Sequence, residues 1–225
     1  MSELIVGVVP IRSFREGKTR LASILTGDQR AMLLRKTASR VVCTLAASRI
    51  VDTVLVVSPE HEVLEWARGM GKRILPVLQP AEHEGLNGAL DAARLWALER
   101  DADALLSLFA DLPLLSTMDV RALVRERAPI VLGADRRSEG TNAMLLRLAG
   151  AGEGFRFAFG TNSLEQHLVE AARLGMTSAI VMAPGVGFDL DTPSDWDEYQ
   201  RTEQPAGWQR DFWLAPALQC GVVRS

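Results

Sequence analysis

The sequence has 225 residues, of which 48% are hydrophobic, 24% charged and 6% aromatic. That apolar content excludes an intrinsically disordered chain, and the length predicts one domain with a sizeable core, or at most two small ones. Lys and Arg number 25 against 28 Asp and Glu, a net charge of −3 that leaves no basic footprint for nucleic acid and no acidic tail.

Cys43 and Cys220 are the two cysteines, with no short metal-ligand spacing and no disulfide framework, so a reducing cytoplasm is expected. The apolar run 4–9 is too short to span a bilayer. Glu3 stands where an export signal would need positive charge, so no membrane association is expected.

In chain order, apolar runs at 4–11, 53–58, 74–78, 104–109, 130–134 and 143–147 read as strands, and 178–183 as a late one. Most are continuous rather than alternating, as in strands covered on both faces. Between them lie helical stretches. Leu34, Ala38, Val41 and Leu45 share one helix face; Leu86, Leu90, Ala93 and Ala97 repeat the spacing. Segments 116–127 and 163–174 read as two further helices. Strand–helix alternation predicts an α/β sandwich with a mostly parallel sheet, its ligand site at the edge where the strands end. After about Gln204 the chain changes character: Trp208, Phe212 and Trp213 crowd beside Pro205 and Pro216. That tail, 205–225, is expected to dock on the body or on a second subunit.

Four segments carry chemistry. The first strand runs into Pro10-Ile11-Arg12-Ser13-Phe14-Arg15-Glu16-Gly17-Lys18-Thr19-Arg20-Leu21, four basic residues in nine positions with Glu16 alone opposing. A triphosphate needs such a cluster to offset charge at short range; a solvated basic loop is the alternative. It is no P-loop, because Arg12 stands where the first glycine would be. Leu108-Phe109-Ala110-Asp111-Leu112-Pro113 takes an apolar strand into an acid at its end, placed for a metal or for a turn. Gly187-Phe188-Asp189-Leu190-Asp191-Thr192-Pro193 sets two carboxylates on one side of an extended segment, which repel unless a cation lies between them. Mg²⁺ suits one or two carboxylates plus phosphate oxygens. Thr192 and Pro193 also make a helix start, and both uses are compatible. Gly140-Thr141-Asn142 joins Gly160-Thr161-Asn162-Ser163, where Ser163 with Gln166 reads as a capping box and the helix start offers N–H groups to an anion. Gly85-Leu86-Asn87-Gly88 opens a helix, with Asn87 either a base or sugar contact or an ordinary N-terminal polar residue. His61 and His83 read as surface residues, and no Ser/His/Asp or Cys/His arrangement stands out.

Taken in order, Pro-Ile-Arg…Gly-Lys-Thr-Arg-Leu, Gly-Leu-Asn, Asp-Leu-Pro, Gly-Thr-Asn, Phe-Gly-x-x-Ser-x-x-x-His and Phe-Asp-x-Asp-Thr-Pro resemble the CofC/FbiD guanylyltransferases of coenzyme F420 biosynthesis. The resemblance covers residues 4 to about 200. It implies a Rossmann-like three-layer sandwich of the nucleotidyltransferase type over 1–204. It implies transfer of GMP from GTP to 2-phospho-L-lactate, phosphoenolpyruvate or 3-phospho-D-glycerate, with phosphoenolpyruvate favoured because the Arg- and Ala-rich chain reads as bacterial. By the same resemblance Lys18 and Arg20 face the GTP phosphates and 85–88 lies near the nucleotide. Asp111, Asp189 and Asp191 hold Mg²⁺, and Thr141, Gly160 and Ser163 hold the acid. Arg12 departs from the family's usual Lys; it keeps the charge but exchanges a point donor for a fork. A homodimer and hand-over of product to the downstream F420 transferase are further expectations. The competing readings are a nucleotidyltransferase for molybdopterin or a sugar phosphate, a glycosyltransferase, and a non-catalytic nucleotide-binding regulator.

Overall fold

The computed structural model describes residues 3–202 together with Cys220. Strand β1 (Ile5–Pro10) leads through a 3-10 turn (Thr19–Leu21) to α1 (Gly27–Ser48), β2 (Thr53–Ser58), α2 (His61–Arg68) and β3 (Ile74–Leu78). Then come α3 (Gly85–Leu98), β4 (Ala104–Leu108), α4 (Thr117–Arg125) and the hairpin β5 (Ile130–Ala134) and β6 (Thr141–Arg147). A second 3-10 turn (Gly150–Gly154), α5 (Ser163–Arg173), β7 (Ser178–Val181), α6 (Pro184–Gly187) and α7 (Pro193–Arg201) follow. The sheet order is β3-β2-β1-β4-β6-β5-β7, with β6 antiparallel to both its neighbours and the other pairings parallel. This is the expected mixed, mostly parallel sheet.

Side-chain alternation explains the three layers. Ile5 and Val9 of β1 face α1, α2 and α4, where Leu34, Ala38, Val41 and Leu45 are buried as their spacing predicts. Val6 and Val8 face the other way, toward Leu90, Ala93 and Ala97 of α3 and Leu164 of α5. A third cluster joins Leu21 and Leu33 to Phe188, Leu190 and Tyr199, which seats the segment after α6 against the loop after β1. Capping boxes at Thr26/Gln29, Ser116/Asp119 and Thr192/Asp195 start α1, α4 and α7.

Several expectations change. Ser163 does not cap α5. Asn162 does, in the left-handed conformation and without a side-chain cap bond, and the Ser163 hydroxyl instead accepts from the Thr141 N–H. β6 begins two residues earlier than predicted, at Thr141. α2 has no counterpart among the expected elements: it is one short stretch whose buried face is Val63, Leu64 and Ala67. Leu86, expected to be buried with Leu90, is exposed.

The expected absence of a disulfide is also overturned. Cys43 on α1 pairs with Cys220, Cα to Cα 4.9 Å, and the Cys220 N–H donates to the Met70 carbonyl at 3.0 Å. A separation of 177 residues leaves no local spacing to read, and the cysteines no longer argue for a reducing compartment. The rest of the aromatic tail, with Trp208, Phe212 and Trp213, lies outside the described residues. Among those residues no helix is long and apolar enough to cross a membrane.

Candidate active site

The loop after β1 delivers Lys18 in the left-handed region, φ 58°, a conformation that costs a non-glycine residue roughly 1 kcal/mol or more. Its ammonium supplies the compensation. Nζ lies 2.6 Å from Asp111 Oδ2 and 2.6 Å from Asp191 Oδ1, and the side chain is 4% exposed. Burial disfavours that charge, but Asp111 and Asp191 outweigh it, so the Lys18 pKa stands above its ordinary value. Asp111 follows β4, as predicted, and its carbonyl accepts from the Leu190 N–H at 3.1 Å, tying the 189–191 segment to the end of β4. Asp191 also precedes the α7 cap: its N–H donates to Asp195 Oδ2 at 3.0 Å. The helix-start use of this segment is therefore realised, while Asp191 also meets the Lys18 ammonium.

Asp189 points to the same region. Asn142 Nδ2 donates to its Oδ1 at 3.3 Å and to the Val186 carbonyl at 2.9 Å. Burial first, and the charge of Asp111 second, push the Asp189 carboxyl above the usual carboxylate range. Among the described residues no group of three or more Asp, Glu, His or Cys side chains is arranged to hold a metal ion by itself. The donor set nevertheless fits a hard dication bound jointly with a ligand. Asp111 Oδ1 is buried without a hydrogen-bond partner, and a cationic ammonium already sits between Asp111 and Asp191.

The other basic residues form a rim. Arg12 is exposed and paired with Glu16 at 3.3 Å, and Arg15 pairs with Glu62. Arg20, also exposed, stands 4.0 Å from Asp191. Two contiguous cavities open here and share Pro10, Ile11, Arg12 and Leu86. One, of about 360 Å³, includes Gly17, Lys18, Phe109, Asp111 and Asp191; the other, about 800 Å³, is walled by Gln79, Pro80, Glu84 and Gly85. Together they offer a nucleoside-sized space beside a charged floor. Gly85 has φ +73°, and a side chain on Gly88 would collide with the His83 backbone, which accounts for both glycines of Gly85-Leu86-Asn87-Gly88. Gln79, Pro80 and Glu84 lie outside the sequence candidates, and Leu86, within 85–88, reads from its spacing as a buried residue of its helix face. An i, i+4 pattern does not distinguish an apolar residue at a helix mouth from a core one.

Asn87 turns toward the protein. Its Oδ1 accepts from the Phe159 N–H at 2.8 Å and its Nδ2 donates to the Phe159 carbonyl at 3.2 Å, so it clamps the 155–162 segment onto α3. Thr141 and Ser163 are brought together: the Thr141 N–H donates to Ser163 Oγ at 2.9 Å, with exposures of 1% and 3%. Gly160, at the turn before Asn162, is exposed. His167, embedded in the same corner, was noted only as a motif member. Its Nδ1 is 3.1 Å from Thr141 Oγ1, its Nε2 3.0 Å from the Ala158 N, and it packs edge-on to Phe159 at 4.5 Å. Burial pushes its pKa down to about 4, so it is a neutral imidazole. The corner where Thr141 and Ser163 meet is thus linked to the carboxylates through adjacent residues, Thr141 and Asn142.

A family model described as "Guanylyl transferase CofC like" matches residues 5–200. The chain belongs to this family. Among its relatives, the phosphoenolpyruvate guanylyltransferase of Rubrobacter xylanophilus is 42% identical over 194 residues, covering 85% of this chain and 91% of the relative. That of Sphaerobacter thermophilus is 40% identical over 196 residues, 86% and 91% of the two chains. The 2-phospho-L-lactate guanylyltransferase of Methanothermobacter thermautotrophicus is 32% identical over 196 residues, 85% and 82%. Among solved structures, a nucleotide-diphospho-sugar transferase-type protein from Desulfovibrio desulfuricans G20 superposes with TM-score 0.73 at 17% identity, covering 93% of this chain and 91% of its own. That likeness establishes the nucleotidyltransferase fold within which the CofC-like site is built.

Proposed function

We propose that this CofC-like chain transfers GMP from GTP to phosphoenolpyruvate, releasing pyrophosphate, as a step of coenzyme F420 biosynthesis in the cytoplasm. The observation that carries the reading is Lys18 clasped by Asp111 and Asp191 on the floor of a pocket continuous with a nucleoside-sized one. The choice of acid is supported by the relatives at 40% and 42% identity, which bear the phosphoenolpyruvate name, whereas the 2-phospho-L-lactate enzyme stands at 32%.

In this reading the base occupies the cavity at Gln79, Gly85 and Leu86, with Asn87 holding the wall behind it. Arg12 and Arg20 meet the phosphates from the rim, and Lys18 from the floor. A phosphate oxygen of the acid attacks the α-phosphorus of GTP in line. The new P–O bond forms as the bond to the β-phosphate oxygen breaks, and both electrons leave with pyrophosphate. The nucleophile is already an anion, so no general base is required, consistent with a neutral, buried His167. Positioning and charge neutralisation do the rest. Asp111, Asp191 and Asp189 would hold Mg²⁺, which when bound supplies Lewis-acid polarisation and relieves repulsion between the two anions. Thr141, Gly160 and Ser163 orient the acid. Hand-over of a labile enol product to the next transferase, and a homodimer, belong to the same reading.

The test is pyrophosphate release from Mg²⁺-GTP with phosphoenolpyruvate, 2-phospho-L-lactate and 3-phospho-D-glycerate offered separately, the downstream transferase and its acceptor being present. Release with phosphoenolpyruvate is expected. Release with 2-phospho-L-lactate alone would move the substrate, and release only with a different phosphorylated acceptor would overturn the assignment.

A further inference from the structure

His167 is buried at 0% exposure in the corner where Thr141 and Ser163 meet, and the mechanism above gives it no task. Its hydrogen bonds determine where its proton lies. A backbone N–H can only donate, so the Ala158 N–H fixes Nε2 as an acceptor at 3.0 Å. A neutral imidazole carries one N–H, which must then be on Nδ1, and Nδ1 faces Thr141 Oγ1 at 3.1 Å. The Thr141 hydroxyl oxygen therefore accepts a hydrogen bond from the ring and cannot donate its own proton there. Among the described residues nothing else accepts that proton. Ser163 is in the same condition: its Oγ accepts from the Thr141 N–H, and no acceptor for its own proton is found among the described residues. Two hydroxyl protons, each in a residue more than nine-tenths buried, are left without an acceptor among the described residues, beside a helix start that no side chain caps. A ligand that accepts without donating, such as a carboxylate or phosphate, would satisfy both hydroxyls at once.

We infer that His167 is a positioning residue for the acid substrate: held as the Nδ1–H tautomer by the Ala158 N–H, it donates to Thr141 Oγ1 and turns the Thr141 hydroxyl into an obligatory donor toward the acid. This rests on the reading of Thr141 and Ser163 as acid contacts. Without the ring donor, the hydroxyl is free to rotate inward, and an anion meets a lone pair instead of a proton. The ring's other bond orders the 157–159 segment, which Asn87 holds from the nucleotide side.

The two ring nitrogens can be replaced separately. Asn places its amide near the Nδ1 position and keeps a donor to Thr141; Gln reaches the Nε2 position and keeps an acceptor for Ala158. In steady-state pyrophosphate release with phosphoenolpyruvate, His167→Gln is expected to raise the KM for the acid by about 10- to 100-fold, as loss of a hydrogen bond to a charged group does. The KM for GTP should stay within about twofold, and His167→Asn should restore the acid KM to within about threefold of the parent, since the donor is retained. Thr141→Val should raise the acid KM itself, and His167→Gln added to it should change nothing more. Equal acid KM values in the Asn and Gln variants, with Thr141→Val still impaired, would overturn the role of His167 alone. An unchanged acid KM in Thr141→Val would overturn the acid-site reading on which it rests. Should His167→Gln fail to fold, long-range ¹H–¹⁵N correlation spectra of the histidine-labelled parent protein decide the matter. A pyrrole-type Nδ1 is expected at His167, and a proton on Nε2 would overturn the inference.

Discussion

The same imidazole should leave a signature in the stability of the whole domain. Its pKa is about 4 in the folded chain against an ordinary 6.5. Between those values the unfolded chain binds a proton at this position and the folded chain does not. Stability therefore rises with pH across the window, by about 1.4 kcal/mol per unit, and is lost as the pH falls from about 6.5 toward 4. Integrated over the window this is about 3 kcal/mol, a large fraction of the 5–15 kcal/mol typical of a domain. Glu170, one turn further along α5, is bonded by Arg173 and by the Arg156 N–H, which hold its carboxyl low. Its contribution is lost only at more acidic pH, and a change at position 167 leaves it in place. The perturbation is His167→Asn, which packs in the same corner and cannot be charged. Urea unfolding followed by circular dichroism, at steps from about pH 7 to about pH 4, gives ΔG for both proteins. The parent's advantage at neutral pH should shrink by about 3 kcal/mol at the acid end. A gap independent of pH would show that the ring titrates normally and is not confined as its contacts require.

Asp111→Asn keeps the shape at the end of β4 but removes one of the two charges on Lys18. We expect kcat to fall by about 100-fold or more with the fold retained, and near-normal turnover at saturating GTP would refute the placement of Asp111 at the reacting phosphates. Gly88→Ala pushes a methyl group into the His83 backbone, which cannot yield as a side-chain end would. A loss of about 1–3 kcal/mol in stability, with weaker GTP binding by calorimetry, is expected, and an unchanged melting temperature would refute the close approach. Cys220→Ser opens a closed loop of 177 residues' separation; chain entropy sets the loss at up to roughly 5 kcal/mol. Urea midpoints that do not respond to dithiothreitol in the parent protein would show the pair is not formed.

Much of this architecture is written locally in the sequence. The continuous apolar runs at 53–58 and 130–134 became β2 and β5 with those bounds, because strands buried on both faces need no alternation, and 74–78 became β3, a partly exposed edge strand. Lys18, Asp111 and Asp191 could each be assigned to the binding edge, but not the ion pairs that join them. The Lys18 ammonium reaches both across separations of 93 and 173 residues, which no local pattern encodes. Asn87 and Ser163 show the limit in another form. Both are polar residues at helix starts, where capping is the local expectation, yet tertiary neighbours take their side chains: Phe159 for one, Thr141 for the other. The direction of the Thr141 hydroxyl is less legible still, since it depends on which nitrogen of a distant ring is protonated.

The reversed direction of β6 has a consequence for how the site is divided. Running against β4, this strand brings its beginning, not its end, to the edge where β1 and β4 finish. The β5/β6 ladder shifts register at Asn142, and the dipeptide Thr141-Asn142 straddles the sheet there. Thr141 reaches His167 of α5 on one side, and Asn142 reaches Val186 of α6 and Asp189 on the other. Two compartments of the site thus hang from one peptide bond. Their phase is set at the register shift in the ladder, where Gly133 pairs with Ala143 and Ala134 with Thr141, so that Asn142 is the extra residue; removing it would take away the side chain that serves the Asp189 compartment and leave Thr141 in regular pairing.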